Sequence, residues 1–414
     1  METRNKLWTS DFSLITIGTI ISMVGQCVAS FSLGLLVYQN TESTLLYAIY
    51  TTVSLVPYVI VSFFVGPFLD RFSRKKIIVF LDYLTGSFYI IIALMYLAGW
   101  TDSYFLILAL GFIIGSQNAF YQIAYDSFYP TLVSKGNYSK AYSISSMIYP
   151  IASTLMVPLA AFLYKTIGVE YLFIGSGILF TLTATFELFI TTDKPALEKT
   201  DEKVYKLSYF MNDLKEGLSY LKKEKGLKFI TIYFIFNMMA YSAFATMLLP
   251  FFESSVIYTI QDYSFVMAVG ALGRVIGAII HYFKSSKPEN NYKIALFVYI
   301  ATSVLQGAML FSTLPIMYII SFICGILAVT SFTIRTSSTQ NYVPNEKRGR
   351  FNSLFYMATT GLGSVTGQLV SGALGEVVDL RWIVFGAMAI NMVATLVFVV
   401  LRKDSISKVY NVAV

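Results

Sequence analysis

Charged side chains are scarce in this chain. Only 13% of its 414 residues are Asp, Glu, Lys or Arg, whereas soluble domains carry roughly 25%. So few charges cannot cover a water-facing surface on a chain of this length. We therefore expect an all-α protein that spans a membrane, because the apolar runs are continuous and about twice as long as the roughly ten-residue strands of a membrane β-barrel.

The residues that enzymes and metal sites need are rare as well. The chain has one histidine, His281, and two cysteines, Cys27 and Cys324, which lie inside apolar runs and predict buried thiols. It lacks the phosphate-binding motif Gly-x-x-x-x-Gly-Lys-Ser/Thr and the zinc motif His-Glu-x-x-His. We therefore expect neither an enzyme nor a nucleotide-driven pump, and no metal site or cofactor.

Apolar runs long enough to cross roughly 30 Å of hydrocarbon recur along the whole chain. One long polar interval separates the first six from the last six. This division predicts a six-helix bundle at 1–192, a linker at 193–228, a second six-helix bundle at 229–402 and a tail at 403–414. The twelve predicted spans are 14–37, 45–68, 77–99, 103–127, 141–164, 170–192, 229–251, 263–283, 292–312, 314–336, 352–375 and 382–402.

Basic residues predict the orientation of these spans. If the N-terminus is cytoplasmic, 27 of the 30 Lys and Arg residues fall on that side, with Arg335 at the end of the tenth span counted among them. The positive-inside rule then places both termini in the cytoplasm, and we expect the membrane to be a bacterial plasma membrane. The same rule accounts for the net charge of +7 without any binding of nucleic acid.

Two further patterns concern the organisation of the halves. The segments 131–143 and 341–353 are faintly similar, and each follows the fourth span of its half, which predicts two six-helix repeats with a binding site near the midplane between them. The linker carries apolar residues at a spacing of three or four, which predicts an amphipathic helix on the inner membrane surface. These residues are Leu207, Phe210, Met211, Leu214, Leu218 and Leu221.

A cluster of charges between the second and third spans carries the most specific motif. The segment 66–76 reads GPFLDRFSRKK, and such a cluster between two apolar runs must lie at a membrane surface. It resembles the loop G-x-L-A-D-R-x-G-R-K between helices 2 and 3 of the major facilitator superfamily, a family of transporters, although Phe68, Leu69 and Ser73 depart from it. The matching residues are Gly66, Asp70, Arg71, Arg74 and Lys75.

The resemblance implies a role for this loop as a cytoplasmic gate. In the family the loop braces the inner ends of the two halves, with the aspartate facing the start of helix 11 and the second arginine paired with an acid at the inner end of helix 4. These residues are Asp70 and Arg74 here, and Asp126 lies where the acid is expected. An acid at that boundary is favourable beside a cation. The alternative is that these charges are simply solvated at the membrane surface.

A narrower resemblance concerns the branch of the family. The segments 210–226 and 343–350 resemble those of macrolide-efflux and siderophore-exporter facilitators, and Pro158 matches the proline of the fifth helix in drug antiporters, although the glycines that accompany it there are missing. The resemblance implies multidrug efflux by an antiporter. As in the family, we expect the two bundles to rock around a central cavity.

Polar residues inside the predicted spans are the candidates for that cavity. Arg274 lies near the middle of the eighth span, where an arginine costs roughly 2.5–3.5 kcal/mol, so it is either an anion-binding group or half of a structural ion pair. The neutral candidates either line the cavity or join helices by hydrogen bonds. They are Gln26, Gln117, Asn118, Gln122, Asn237 and Tyr241.

Proton coupling needs a group that changes its charge. Asp126 and Glu187, toward the inner ends of the fourth and sixth spans, are the candidates, while Glu253 lies at the opposite end of the seventh. Each of these carboxyl groups could equally be an ordinary interface residue. His281 is more typical of a surface anchor than of a proton relay.

Together these features predict a monomeric secondary transporter that exports small amphiphilic or lipophilic compounds in exchange for protons. Its partners are then the substrate, protons and the lipid bilayer. One alternative is a transporter of an anionic solute, by uptake or anion coupling, that uses Arg274. Another is a relative that handles lipids without transporting a solute.

Overall fold

The computed structural model describes residues 6–71, 73–99, 103–134, 137–192, 207–283 and 287–412. Nearly all of these residues are helical. The first half contains six helices: α1 Ser10–Thr41, α2 Thr44–Arg71, α3 Arg74–Leu97, α4 Tyr104–Leu132, α5 Tyr138–Thr166 and α6 Val169–Leu188. The second half begins with α7 Leu207–Lys223, α8 Lys225–Glu253, α9 Ile260–Phe283, a 3₁₀ turn Pro288–Asn290, α10 Asn291–Met309 and α11 Leu314–Tyr342.

Two π-helical segments interrupt the last long helices of the chain. A π-helical segment, Met357–Ser364, joins α12 Asn345–Tyr356 to α13 Val365–Gly375, so that 345–375 is one continuous helix. A second π-helical segment, Thr395–Val400, continues α14 Leu380–Ala394, and the backbone N–H of Leu401 bonds to the carbonyl of Leu396 at 3.0 Å. The short helix α15 Lys403–Tyr410 follows.

These helices confirm the predicted all-helical membrane fold. In the described part of the chain ten helices are long and apolar enough to cross a membrane. The two other predicted spans, 45–68 and 352–375, are also helical, in α2 and in the continuous helix 345–375. The linker segment predicted to be helical is α7, although the side chains of 207–214 lie outside the described residues.

Helix boundaries follow local signals that hydropathy does not capture. The Thr9 hydroxyl accepts a hydrogen bond from Phe12 N–H at 3.2 Å and caps α1, and the Ser73 hydroxyl does the same for Lys76 N–H at the start of α3. Gly168, with φ of 95°, makes the turn between α5 and α6.

One predicted span ended too early, and the predicted tail is helical. The tenth span was expected to end at 336, but α11 continues to Tyr342, so Arg335 is an interior residue of a helix and not part of the inner loop. The tail predicted at 403–414 contains α15, whose Ile406, Val409 and Tyr410 are fully buried. The Tyr410 hydroxyl hydrogen-bonds the Tyr299 hydroxyl at 2.7 Å, so this end of the chain is part of the core.

The chain forms two compact units, which we describe separately. The first contains α1, α3 to α6 and the part of α2 from Val53 onward. The second contains the start of α2, Ser43–Thr52, together with α7 to α15. Thr52 Oγ1 bonds Gln368 Oε1 of α13 at 2.9 Å, which fixes the start of α2 within the second unit.

Candidate functional site

A cavity of about 410 Å³ lies inside the first unit, and we call it the N-terminal cavity. Most of its lining residues carry a hydroxyl, amide or carboxyl group, and they come from α1, α3, α4, α5 and α6. Gln26, Asn118 and Gln122, predicted from the sequence, all line it. Gln117 does not: it is buried in α4, and both its side-chain polar atoms lack partners among the described residues.

Two carboxyl groups meet beside this cavity. Asp82 on α3 and Glu187 on α6 are 2% and 1% exposed, and they lie within hydrogen-bonding distance of each other. The Tyr121 hydroxyl approaches Glu187 Oε1 at 3.4 Å. Asp82 and Tyr121 also line the N-terminal cavity. We call Asp82 and Glu187 the carboxyl pair.

Glu187 of the carboxyl pair packs against the backbone of α1 at Gly18. A Cβ at Gly18 would lie 3.5 Å from Glu187 Oε1, so the carboxyl group rests against a helix surface that carries no side chain. The Thr183 hydroxyl, one turn earlier on α6, donates to the Gly18 carbonyl at 3.1 Å. This contact holds α6 in the register that brings Glu187 toward Asp82.

The electrostatics of the carboxyl pair favour a shared proton. Among the described residues neither Asp82 nor Glu187 forms an ion pair, and Asp82 Oδ2 and Glu187 Oε2 have no hydrogen-bond partner. Two adjacent carboxylates cannot both stay ionised at low dielectric without a large cost. A hydrogen bond between them needs one proton, so the pair can hold or release a proton next to the cavity.

The sequence predicted Glu187 as a coupling residue but missed Asp82. The two residues are far apart in the chain, and only the packing of α3 against α6 brings them together. Asp82 stands one residue after Leu81 in an otherwise apolar run, a costly position for an unpaired acid. The energetic cost of an unpaired acid in an apolar helix was the signal in the sequence that could have identified Asp82.

The charges at the inner end of α4 are arranged differently from the expected ion pair. Arg74 Nη1 donates to the backbone carbonyl of Ser127 at 2.8 Å, while the exposed Asp126 carboxylate accepts from Gln122 Nε2 at 2.8 Å. Arg74 therefore contacts the end of α4 through the backbone of Ser127, and among the described residues it forms no ion pair with Asp126. Lys75 is half-buried.

The gate motif is only partly described. The side chains of Gly66, Asp70 and Arg71 lie outside the described residues. Their predicted role as a cytoplasmic gate stays a prediction.

A second cavity, of about 590 Å³, lies inside the second unit, and we call it the C-terminal cavity. It is lined by residues of α8, α10, α11, α14 and the continuous helix 345–375. Asn237 and Tyr241, predicted from the sequence, line it. Arg335 lines it too, although its position at the end of the tenth predicted span indicated a charge on the cytoplasmic side.

The other intramembrane arginine occupies a different place. Arg274 on α9 is half-buried and does not line either cavity of the described structure. Its backbone N–H lies where α9 packs closely on α11, 3.0 Å from the position of a Cβ built at Gly325. His281, further along α9, bonds the Thr330 hydroxyl of α11 at 2.8 Å.

The sequence matches the profile of the Major Facilitator Superfamily over residues 15–359 and 290–412. The chain belongs to the Major Facilitator Superfamily. Solved structures show the same fold. The nucleoside transporter NupG is 16% identical with a TM-score of 0.69, covering 95% of this chain and 100% of that chain. A POT family transporter in complex with 5-aminolevulinic acid is 12% identical with a TM-score of 0.71, covering 95% and 96%.

Similar sequences in this superfamily include two bacterial proteins. The uncharacterized MFS-type transporter YkuC of Bacillus subtilis (strain 168) is 25% identical over 255 residues, or 59% of this chain; the match spans only 57% of YkuC. Macrolide efflux protein A of Streptococcus pyogenes is 23% identical over 294 residues, which are 69% of this chain and 70% of that protein. Membership of the superfamily confirms that the chain is a multi-pass membrane transporter and not an enzyme.

Proposed function

We propose that this facilitator is a proton-coupled exporter of small amphiphilic compounds, and that the carboxyl pair carries the coupling proton. The observation that supports this is the contact between Asp82 and Glu187, both buried, beside a polar cavity inside the first unit. A buried acid in a membrane helix is costly and is retained at ion pathways and proton relays.

The proposed direction and cargo of transport are supported by sequence similarity and not by the carboxyl pair. The superfamily relative Macrolide efflux protein A is named for the efflux of macrolides, and the segments 210–226 and 343–350 resemble macrolide-efflux and siderophore-exporter facilitators. We place export in the plasma membrane, with both termini in the cytoplasm as the basic residues predict. Protons entering down their gradient then drive the compound outward by alternating access.

Transport in proteoliposomes with an imposed pH gradient tests the proposal. We expect a gradient to accelerate movement of an amphiphilic compound, such as a hydroxynaphthoate, by the parent protein above the movement in protein-free liposomes. Asp82→Asn and Glu187→Gln keep the side-chain shape but remove the titrating group, so we expect both variants to lose this acceleration. Glu170→Gln, at the opposite end of α6, is the matched control and should behave like the parent.

Two outcomes would contradict the proposal. Equal acceleration in the parent and in both carboxyl variants would show that protons couple elsewhere, with Asp126 as the next candidate. No solute flux by the parent with or without a gradient would favour the lipid-handling alternative.

A further inference from the structure

Arg335 is a charged residue that lines a cavity inside a membrane protein. It lies seven residues before the end of α11, roughly 10 Å inside the helix at 1.5 Å per residue. Among the described residues its guanidinium forms no ion pair and no side-chain hydrogen bond, yet it lines the C-terminal cavity. Its planar fork of N–H donors is therefore available to something that enters the cavity.

Aromatic rings hold the guanidinium in place. Its central carbon lies 4.7 Å from the ring centre of Phe355, 5.4 Å from that of Phe234 and 5.5 Å from that of Phe332. Phe234 and Phe355 also contact each other at 5.7 Å between ring centres. Cation–π contacts stabilise a cation without neutralising it, so the arginine keeps its full attraction for an anion.

Two buried polar atoms beside the same cavity lack a hydrogen-bond partner among the described residues. Asn391, 1% exposed, donates from Nδ2 to Ser303 Oγ at 2.9 Å, and the Ser303 hydroxyl donates to the Tyr299 carbonyl at 2.8 Å. Because that serine proton is already used, the Asn391 amide must be oriented with Nδ2 toward Ser303. Its Oδ1 then has no partner among the described residues, and neither has Thr336 Oγ1; both residues line the cavity.

We propose that the C-terminal cavity binds a small amphiphilic anion, with its negative group on Arg335, its apolar body against the phenylalanine rings and a hydroxyl or amine near Asn391. This inference deepens the proposed export function and rests on it, because it specifies the class of cargo. The volume of about 590 Å³ lies within the range of roughly 300–1,000 Å³ usual for small-molecule sites. Arg335 takes the anion-binding role that was one of the two alternatives predicted for Arg274.

Equilibrium binding to the purified full chain in detergent tests this inference. The probes are a hydroxynaphthoate, which is an anion at neutral pH, and the corresponding neutral carboxamide. A charge-assisted hydrogen bond from a guanidinium predicts that the parent binds the carboxylate roughly 10- to 100-fold more tightly than the carboxamide. Arg335→Gln should remove that preference while carboxamide binding stays within about twofold, and Arg335→Lys should restore part of it.

Arg402→Gln is the matched control. Arg402 also stacks on a phenylalanine, 5.0 Å from the ring centre of Phe229, but it is exposed and lies outside the C-terminal cavity. This variant should keep the parent's preference. If Arg335→Gln does not fold, the preference of the parent and of Arg335→Lys still decides the question.

Three results would overturn the inference: equal affinity of the parent for both probes, a carboxylate preference that survives Arg335→Gln, or one that disappears in Arg274→Gln instead. Binding needs no gradient, so the same measurement in Asp82→Asn separates the two proposals. A preference retained there, in a variant whose transport still responds to a pH gradient, would refute the coupling role alone.

Discussion

Glu376 fastens the first turn of α2 to the end of α13. Its Oε1 accepts hydrogen bonds from the hydroxyls of Ser43 at 2.7 Å and Thr44 at 3.1 Å, and from Leu45 N–H at 2.8 Å. Ser43 Oγ in turn accepts from Leu46 N–H at 3.1 Å. The carboxylate therefore completes the N-cap of α2, and we predict that Glu376→Gln weakens it.

The expected loss is about 1 kcal/mol of unfolding free energy. Replacing an N-cap acceptor costs about 0.5–2 kcal/mol, and a negative charge near a helix N-terminus contributes about 0.3–1 kcal/mol. Glu376 is exposed, so solvent screens the charge, and glutamine keeps one acceptor oxygen. Both effects place the loss in the lower half of the combined range.

The pH dependence follows from the same contacts. The backbone N–H of Leu45 and the Ser43 hydroxyl lower the pKa of Glu376 from its ordinary value of 4.5. A carboxyl group whose pKa is lower in the folded state stabilises the protein above the unfolded value, and that stabilisation is lost as the pH falls through the folded value. The difference between parent and Glu376→Gln should therefore be constant near neutral pH and shrink below about pH 4.5.

Thermal unfolding in detergent, followed by tryptophan fluorescence over a pH series, measures this difference. We expect Glu376→Gln to lower the midpoint by roughly 1–2 °C near neutral pH. Glu289→Gln, an exposed acid on the 3₁₀ turn, should change nothing. When Glu376→Gln is combined with Ser43→Ala, the loss of stability should be smaller than the sum of the losses in the two single variants. A difference that is independent of pH, or strict additivity, would refute the reasoning.

Two further predictions concern packing and the gate. A Cβ at Gly325 would collide with the Gly270 carbonyl of α9, so Gly325→Ala should destabilise the protein by about 1–3 kcal/mol in thermal unfolding. Gly386→Ala is the control, because a Cβ there meets nothing within 4 Å, and it should leave the stability unchanged. Equal unfolding midpoints for the two variants would contradict the close packing of α9 on α11. Asp70→Ala should slow transport of every substrate by a similar factor in flux assays, whereas a change in selectivity would contradict the gate role.

Hydropathy predicted the positions of the membrane helices because the thickness of the hydrocarbon dictates a run length. It failed at the end of α11, where Thr336, Thr339 and Gln340 read as a polar boundary but line the C-terminal cavity. Arg335 was misplaced for the same reason. A polar helix end that faces a cavity has the same composition as one that leaves the membrane.

Contacts between helices that are distant in the chain could not be predicted from the sequence. Glu187 was named as a coupling candidate, but its partner depends on how α3 packs on α6, and the apolar periodicity of two buried helices does not specify that register. The short helix α15 was missed because its charged, eight-residue sequence predicts a tail. Its buried face becomes apparent only once α8, α10 and α11 surround it.

Proton release on substrate binding tests the central claim most directly. In antiport the substrate and the proton exclude each other, so adding the hydroxynaphthoate to the purified parent in weak buffer at neutral pH should release protons from the carboxyl pair. Asp82→Asn and Glu187→Gln should bind the hydroxynaphthoate without releasing any, while Glu170→Gln should match the parent. Undiminished release from both carboxyl variants, or none from the parent, would contradict the assignment of coupling to Asp82 and Glu187.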